Sequence, residues 1–475
     1  MKKSITIVMV WSIVISMIAV FSLVSCKEEA APAEEAAPAE GEQIVLEWWW
    51  WQDQPTMDGW VAESVAMFEE EHPNIKVNAV LQSAVGLTPA LEAAAAAGEG
   101  SDIQYLWKTD LMAHIWAGDF LPLNDLFSEE DMKDWFKWGV DSATWDGKLY
   151  AIPWNVHPCP YSYNREIFEE VGLDPDDPKY LNGEWTWEDF VEVCETLKAG
   201  GYIPIAGGNK EGWLPGFVCS GIGLNNFDGI GEYMQFILGE AKFTDPIYAD
   251  FWKTFKIMVD EGYLSDNINS VEHFQGQTLF DEGKAGMSAA VASGVFAAAK
   301  ALGPEKVQIT TPPITGDGEM AGGIMMLQHF LVIPSWSKHP DEAAEFLKFI
   351  YSEERLAAMV EQTGEIVPSK NLMENYIDAG KIEILPQWEQ ALAFTKKHYV
   401  PRIQSFWPPQ IQADAIMRVG QLVASGDLDA AGASAETQKT TEKWQSVSQD
   451  YIENAKLWME YLDSRTWDGM WWYPE

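Results

Sequence analysis

The sequence predicts an α/β protein built as two lobes, and two observations carry that expectation. About 433 of the 475 residues follow an N-terminal leader and tether, more than one ordinary hydrophobic core accommodates. The first hundred or so of these alternate between period-two and period-3.6 apolar patterns in the order β-α-β-α-β, which predicts a largely parallel sheet covered by helices. Sheets of this kind bind ligands at the carboxyl ends of their strands.

Residues 44–48 read as the first strand. Asp58 then opens a helix whose Val61, Val65 and Phe68 recur at i, i+4 and i+7, and His72-Pro73 stops it. Residues 75–80 alternate as a second strand. Thr88-Pro89 starts an Ala-rich helix, with Thr88 as N-cap and Pro89 in the first turn, and Gly98 ends it. Residues 102–106 form the third strand. Farther on, Thr186-Trp187-Glu188-Asp189 is a capping-box variant opening a helix with Phe190, Val193, Cys194 and Leu197 on its apolar face. Asp341 opens another, with Ala343, Phe346, Leu347 and Ile350 on one side, and residues 371–475 are mainly helical in pattern and rich in Trp. No internal repeat is present.

Lys2 and Lys3 precede 19 residues, 5–23, that are apolar apart from Ser and Thr, and Leu23-Val24-Ser25-Cys26 follows. This is the pattern of an export signal. Its ending resembles a bacterial lipobox, which implies cleavage before Cys26 and lipidation of its thiol; the alternative is an uncleaved membrane anchor. Either places residues 43–475 outside the cytoplasm. Residues 27–42 contain only Ala, Pro, Glu, Gly and one Lys, and so read as an unfolded tether.

With 31 Lys and Arg against 73 Asp and Glu, the net charge is −42. That balance excludes nucleic acid as a partner and disfavours anionic solutes. Beyond Cys26 the thiols are Cys159, Cys194 and Cys219, an odd number that makes no complete disulfide framework. No nucleophile elbow, phosphate loop or His-x-x-x-His pair occurs, so neither catalytic residues nor a metal or cofactor is expected. Asp174-Pro175-Asp176-Asp177 reads as a solvated turn in preference to a calcium loop.

Several segments together resemble the family-one extracellular solute-binding proteins, the group containing maltose-binding protein. They are FEEEHPNIKVNAV, AAAAAGEGSDIQYLW, GDFLPLNDL, DGKLYAIPW, YSYNREIFEEVGL, WTWEDFVEVCETLKAGGYIPI, FDEGKAGMSAA, PPITGDGEMAGG and SKHPDEAAEFLKFIYSEERLAAMVEQTGEIVPSK, in order over about residues 43–455. The resemblance implies a two-lobed periplasmic-binding-protein fold with discontinuous lobes joined by a hinge. One lobe would comprise 43–155 plus 306–362 and the other 156–305 plus 363–475, with the solute in the cleft between them. It implies a monomeric, extracytoplasmic component of an ABC importer that hands its solute, a carbohydrate, to permease subunits. Two rivals stay open: a binding protein for a polyamine or phosphodiester, and a secreted glycoside hydrolase.

A sugar presents apolar C–H faces and a rim of hydroxyls, so its site needs flat aromatic rings and a few placed polar groups. The chain holds 24 Trp, many at strand ends or in loops. Of Trp48-Trp49-Trp50-Trp51, packing beneath the sheet claims Trp48 and Trp50. The family's contacts just after the first strand point to Trp51, Gln52 and Asp53. By the same resemblance Trp107 and Asp110 follow the third strand, and Trp154 and His157 lie at the crossing between lobes. Trp213 sits in a loop where an aromatic stacks on sugar, Phe296 stands where the family often carries Trp, Gly322-Gly323 form a turn that admits a ligand, and Trp407 matches a cleft aromatic.

Overall fold

The computed structural model describes residues 43–51, 57–365, 367, 369–397, 399–401 and 407–463. The expectations for Cys26, the tether, Gln52 and Asp53, and residues 464–475 of the Trp-rich stretch, lie outside them.

Twelve strands are described: β1 (Ile44–Trp50), β2 (Ile75–Leu81), β3 (Ile103–Trp107), β4 (Thr144–Trp145), β5 (Lys148–Leu149), β6 (Ile152–Cys159), β7 (Tyr161–Asn164), β8 (Ile203–Ala206), β9 (Ala285–Ala289), β10 (Val307–Thr310), β11 (Ile324–Val332) and β12 (Tyr399–Pro401). They form two main sheets. The larger has the order β12-β11-β3-β1-β2, with β6 also paired to β11, and the smaller has the order β10-β7-β9-β8. As the β-α-β-α-β pattern requires, β1 runs parallel to both β2 and β3. The long strand β11 then enters antiparallel to β3 and β6.

The alternation of β1 decides which of its tryptophans serve the core. Ile44, Leu46, Trp48 and Trp50 are buried, while Val45 on the other face is exposed. Trp48 meets Phe346 edge-on at 5.3 Å, so the helix Pro340–Ile350 closes over this face with Ala343, Phe346, Leu347 and Ile350 buried, as their spacing predicts. The helix Met57–Glu71 packs nearby through Val61 and Phe68. Its Ser64 and Glu63 receive the guanidinium of buried Arg355.

The capping box at Thr186 is formed in full: Thr186 Oγ1 accepts from Asp189 N, and the Asp189 carboxylate accepts from Thr186 N. Phe190, Val193, Cys194 and Leu197 are buried on the helix it starts. Cys159, Cys194 and Cys219 are all buried, and Cys194 and Cys219 do not pair with one another. The acidic turn is occupied by its own chain: Arg165 pairs with Asp176, and Asp177 caps the helix Pro178–Leu181.

Two strands depart from the expected lobe boundaries. β10 falls in the span assigned to the first lobe but pairs with β7 in the smaller sheet, whereas β12, expected in the second lobe, extends the larger sheet through β11. Four-residue and three-residue strands carry too few side chains for pattern alone to show which sheet completes them. The C-terminal helix Gln449–Asp463 spans between elements: Lys456 pairs with Glu240 beyond the helix Ile230–Leu238, while Trp458 and Tyr451 meet Trp116 at 6.4 and 4.7 Å. Among the described residues no helix is long and apolar enough to cross a membrane.

Candidate functional site

The carboxyl ends of β1 and β3 open into a cavity of about 410 Å³. Trp51, directly after β1, and Trp107, the last residue of β3, form one wall, their rings edge-to-face at 4.8 Å. Leu327, Gln328 and His329 of β11 lie beneath them, and His329 meets the Trp107 ring at 4.7 Å. Trp213, Phe217 and Phe274 make the facing wall, and Pro409, Gln410, Gln412, Ala413 and Met417 line the remaining side.

Trp213 owes its position to backbone that only glycine permits. Gly212 has φ +83°, and a Cβ there would stand 2.7 Å from Met417 Cβ and 2.7 Å from its carbonyl oxygen. The loop can therefore lie directly on the segment Gln412–Met417, which is π-helical within a longer helical run, a local irregularity often found at functional sites. Asn209 fixes the other side, its Oδ1 accepting from Leu214 N at 3.2 Å.

Asp110 is fully buried in the wall below Trp107. Its Oδ2 accepts a 2.8 Å hydrogen bond from Thr88 Oγ1. Burial, opposed by that hydrogen bond and reinforced by the negative charge of Glu92, pushes its carboxyl up to about 7. Thr88 is thus not the N-cap that the sequence suggests. The helix Leu87–Ala97 begins two residues earlier than that cap requires, with Gly86 as its cap, and the hydroxyl is used on Asp110 instead. Lys108 also reaches the cavity wall, but its Nζ donates to the Ser142 carbonyl at 2.5 Å and lies 4.6 Å from the Trp458 ring centre. Burial drives its ammonium well below the usual lysine range.

Of the residues singled out from sequence, the structure brings Trp51, Trp107, Asp110 and Trp213 together around this cavity. The others stand elsewhere. Trp154 is buried between Trp60 and Tyr351, at 5.9 and 6.0 Å, because its face of β6 turns toward the helices and away from the opening. Phe296 lies on the inward face of the helix Ala292–Leu302, 4.7 Å from Trp388. Trp407 has no exposed surface and lies parallel to Tyr233 at 5.8 Å. Gly322, at φ +71°, makes the turn before β11 and donates its N–H to Asn225 Oδ1; Gly323 completes that turn, and neither lines the cavity. His157 sits one layer behind, its ring 5.1 Å from His329 and its Nδ1 3.8 Å from Glu365.

Phe217, Phe274, Gln328 and His329 were missed by the sequence reading. Gln328-His329 carried a usable signal: two polar residues interrupt an otherwise apolar strand, and both are buried. Buried polar groups in a strand need partners, here Asn155 Oδ1 at 2.7 Å from His329 Nδ1. Phe217 carried none, since an aromatic in an apolar helix looks the same whether it faces a core or a cavity, and Phe274 stands alone in the first turn of a largely polar helix.

Two α/β units whose aromatic walls face one another across a cleft define a two-lobed solute-binding fold. The family described as bacterial extracellular solute-binding protein matches residues 63–382, and the chain belongs to it. An uncharacterized ABC transporter extracellular-binding protein of Pyrococcus horikoshii is 27% identical over 373 residues, 77% of this chain and 80% of its own. The multiple sugar-binding protein of Streptococcus mutans is 24% identical over 404 residues, 82% of this chain and 90% of its own. Among solved structures, a chitin oligosaccharide binding protein superposes with a TM-score of 0.74 at 21% identity, covering 84% of this chain and 98% of that one.

Proposed function

We propose that this protein captures a carbohydrate between Trp51 and Trp107 on one side and Trp213 and Phe217 on the other, and delivers it to the permease subunits of an ABC importer. The facing aromatic walls carry the reading, because two sets of rings match the two apolar faces of a pyranose. Thr88, Asp110, Gln328, His329 and Gln410 supply donors and acceptors for hydroxyls around them. Lys108, whose ammonium is the one at the wall among the described residues, is engaged with Ser142, so nothing there favours a phosphodiester. Asp110 and Glu92 keep a cationic solute as the second reading.

The lobes of this reading exchange chain near Pro160, where β6 of the larger sheet gives way to β7 of the smaller, and again at residues 311–323, between β10 and β11. A solute that touches both walls gains its full contact only when they approach, and this differential affinity drives closure. Residues 43–475 are expected to be stabilised in a thermal-shift screen by a neutral sugar, to return it chemically unchanged and to become more compact in solution scattering when it is bound. A ligand in 100-fold excess over its Kd raises stability by about 2.7 kcal/mol. Stabilisation by polyamines alone selects the second reading, and turnover of the sugar by pure protein overturns both.

The same reading holds the protein at the membrane through a lipid on Cys26, whose acyl chains bury ~0.8 kcal/mol per CH₂. Cys26→Ser is expected to abolish labelling by a fatty-acid probe in cells. Undiminished labelling of that variant means that the anchor is elsewhere.

A further inference from the structure

Resting on the carbohydrate reading, we infer that His273 is the positioning residue of the second aromatic wall: a neutral imidazole, out of the solute's reach, that fixes Trp213 and Phe217 where a sugar face meets them. His273 opens the helix His273–Asp281, which packs on β8, β9 and the helix Ala292–Leu302. Its side chain is fully buried and does not line the cavity. The aromatic side chains of that wall nevertheless converge on it. Phe217 stacks on the imidazole at 4.3 Å and 15°, while Phe274 stands edge-on at 5.4 Å and Trp213 edge-on at 6.3 Å. Whatever His273 adds to binding therefore runs through these rings.

The imidazole is held at both nitrogens. Gln277, one turn along the helix, brings its amide nitrogen to 3.0 Å from Nε2. An amide nitrogen only donates, so Nε2 accepts and the imidazole proton sits on Nδ1, 3.4 Å from the Gly208 carbonyl oxygen. Gly208 lies at the start of the loop that carries Trp213, between β8 and the helix Leu214–Val218 that carries Phe217. The same loop is bound to the chain ahead of His273: Asn209 N donates to Ile268 O at 2.8 Å, Lys210 N donates to Val271 O at 3.0 Å, and the Glu211 carboxylate accepts from His273 N at 3.0 Å. Gly208 permits this approach, since a Cβ there would stand 2.3 Å from the Glu272 carbonyl oxygen. The position thus asks one side chain for a flat face, a donor and an acceptor. Neutral histidine supplies all three, whereas phenylalanine lacks the polar atoms, tryptophan has a donor alone and tyrosine has a single oxygen. Rings ordered before the solute arrives keep the entropy cost of ordering them out of the binding step.

The test is a calorimetric titration of residues 43–475, wild type and variants, with the trisaccharides of β-1,4-linked xylose, glucose and N-acetylglucosamine and of α-1,4-linked glucose, below the melting transition of each variant. His273→Phe keeps a ring on Phe217 but leaves Gly208 and Gln277 without their partner, and His273→Asn keeps a donor but no ring. For the trisaccharide that binds wild type, each is expected to weaken binding by about tenfold or more. Because the effect runs through the rings, either loss should shrink to about threefold or less when Trp213 or Phe217 is already alanine. Gln277→Met, which leaves the imidazole in place and removes only its donor, is expected to weaken binding by about threefold or more, and it decides the matter where a His273 variant does not fold. A histidine that serves folding alone would lower the melting temperature and leave the affinity of the folded protein unchanged, or give losses that multiply in the double variants. Either result, or wild-type affinity in Gln277→Met, overturns the positioning role while leaving the carbohydrate reading intact. Failure of all four trisaccharides to bind wild type overturns both.

Discussion

Replacing Asp110 by Asn is expected to stabilise the protein above pH 7 while removing most of its affinity for the solute. The carboxyl titrates at about 7 in the folded protein, against 3.8 for an unperturbed aspartate. Its folded-state pKa is raised, so the folded protein holds the proton more tightly than the unfolded chain does. The stability this confers is fully present below about pH 4 and is lost as the pH rises toward and through 7. Three pKa units correspond to about 4 kcal/mol at most, and a destabilisation of at least ~1 kcal/mol should be measurable at pH 8. An amide is neutral at every pH, and its side-chain oxygen can still accept from Thr88 Oγ1. Urea unfolding should therefore show the Asp110→Asn variant more stable than wild type at pH 8 and similar at pH 4.

The same carboxylate explains the cost to binding. Asp110 Oδ1 makes no hydrogen bond to the described residues and is itself buried in the cavity wall, so a solute hydroxyl reaches it only when the side chains around it shift. A sugar hydroxyl donating to it would favour the ionised form, and hydrogen bonds to charged groups contribute about 1.5–3 kcal/mol. Asp110→Asn should weaken the solute found by screening ten- to a hundredfold, and wild-type binding should tighten from pH 6 to 8 with release of a proton. A variant with wild-type affinity and no stability gain at pH 8 would show that this carboxyl is an ordinary buried group.

The sheet, its parallel strands and the helices over it were legible because each rests on short-range chemistry. Period-two alternation turned Trp48 and Trp50 inward. Thr186 and Asp189 made their capping box from neighbouring atoms. Of the residues singled out by family likeness that line the cavity, Trp51 and Trp107 stand at strand ends and Trp213 in a loop, where a side chain has few options, while Asp110 lies in the first turn of the helix Lys108–Ala117. Trp154, Phe296 and Trp407 were misplaced. Trp154 and Phe296 lie inside elements packed on two sides, and which side meets the cleft depends on helices distant in sequence, such as Met57–Glu71 for Trp154 and the helix carrying Trp388 for Phe296, whereas Trp407 precedes the helix Pro409–Ile411 and its ring is taken up by Tyr233 and Phe243. Thr88 shows a related failure. A Thr before Pro at a helix start satisfies the N-cap pattern, but a buried carboxyl 22 residues away competes for the same hydroxyl.

Trp213 and Trp407, equivalent by sequence likeness, are expected to respond to alanine in different measurements. Trp213 is half-buried on the cavity wall, and its neighbours His273 and Phe274 touch it only edge-on. Trp213→Ala should therefore leave the unfolding midpoint nearly unchanged but remove a stacking surface of the order of 2 kcal/mol, about thirtyfold in Kd. Trp407 lies parallel to Tyr233 and edge-on to Phe243 at 5.3 Å, in an aromatic cluster that also takes in Tyr248. Deleting a fully buried indole leaves a cavity that rigid aromatic neighbours fill poorly, at a cost of about 3–5 kcal/mol. Trp407→Ala should thus lower the urea midpoint sharply, while the protein that remains folded binds the solute within about threefold of wild type, because its ring is not part of the cavity wall. Titration calorimetry below the transition and urea melts on both variants separate the two effects. A thirtyfold loss of affinity in folded Trp407→Ala, with wild-type binding in Trp213→Ala, would move the site away from this cavity and toward the aromatic cluster around Tyr233.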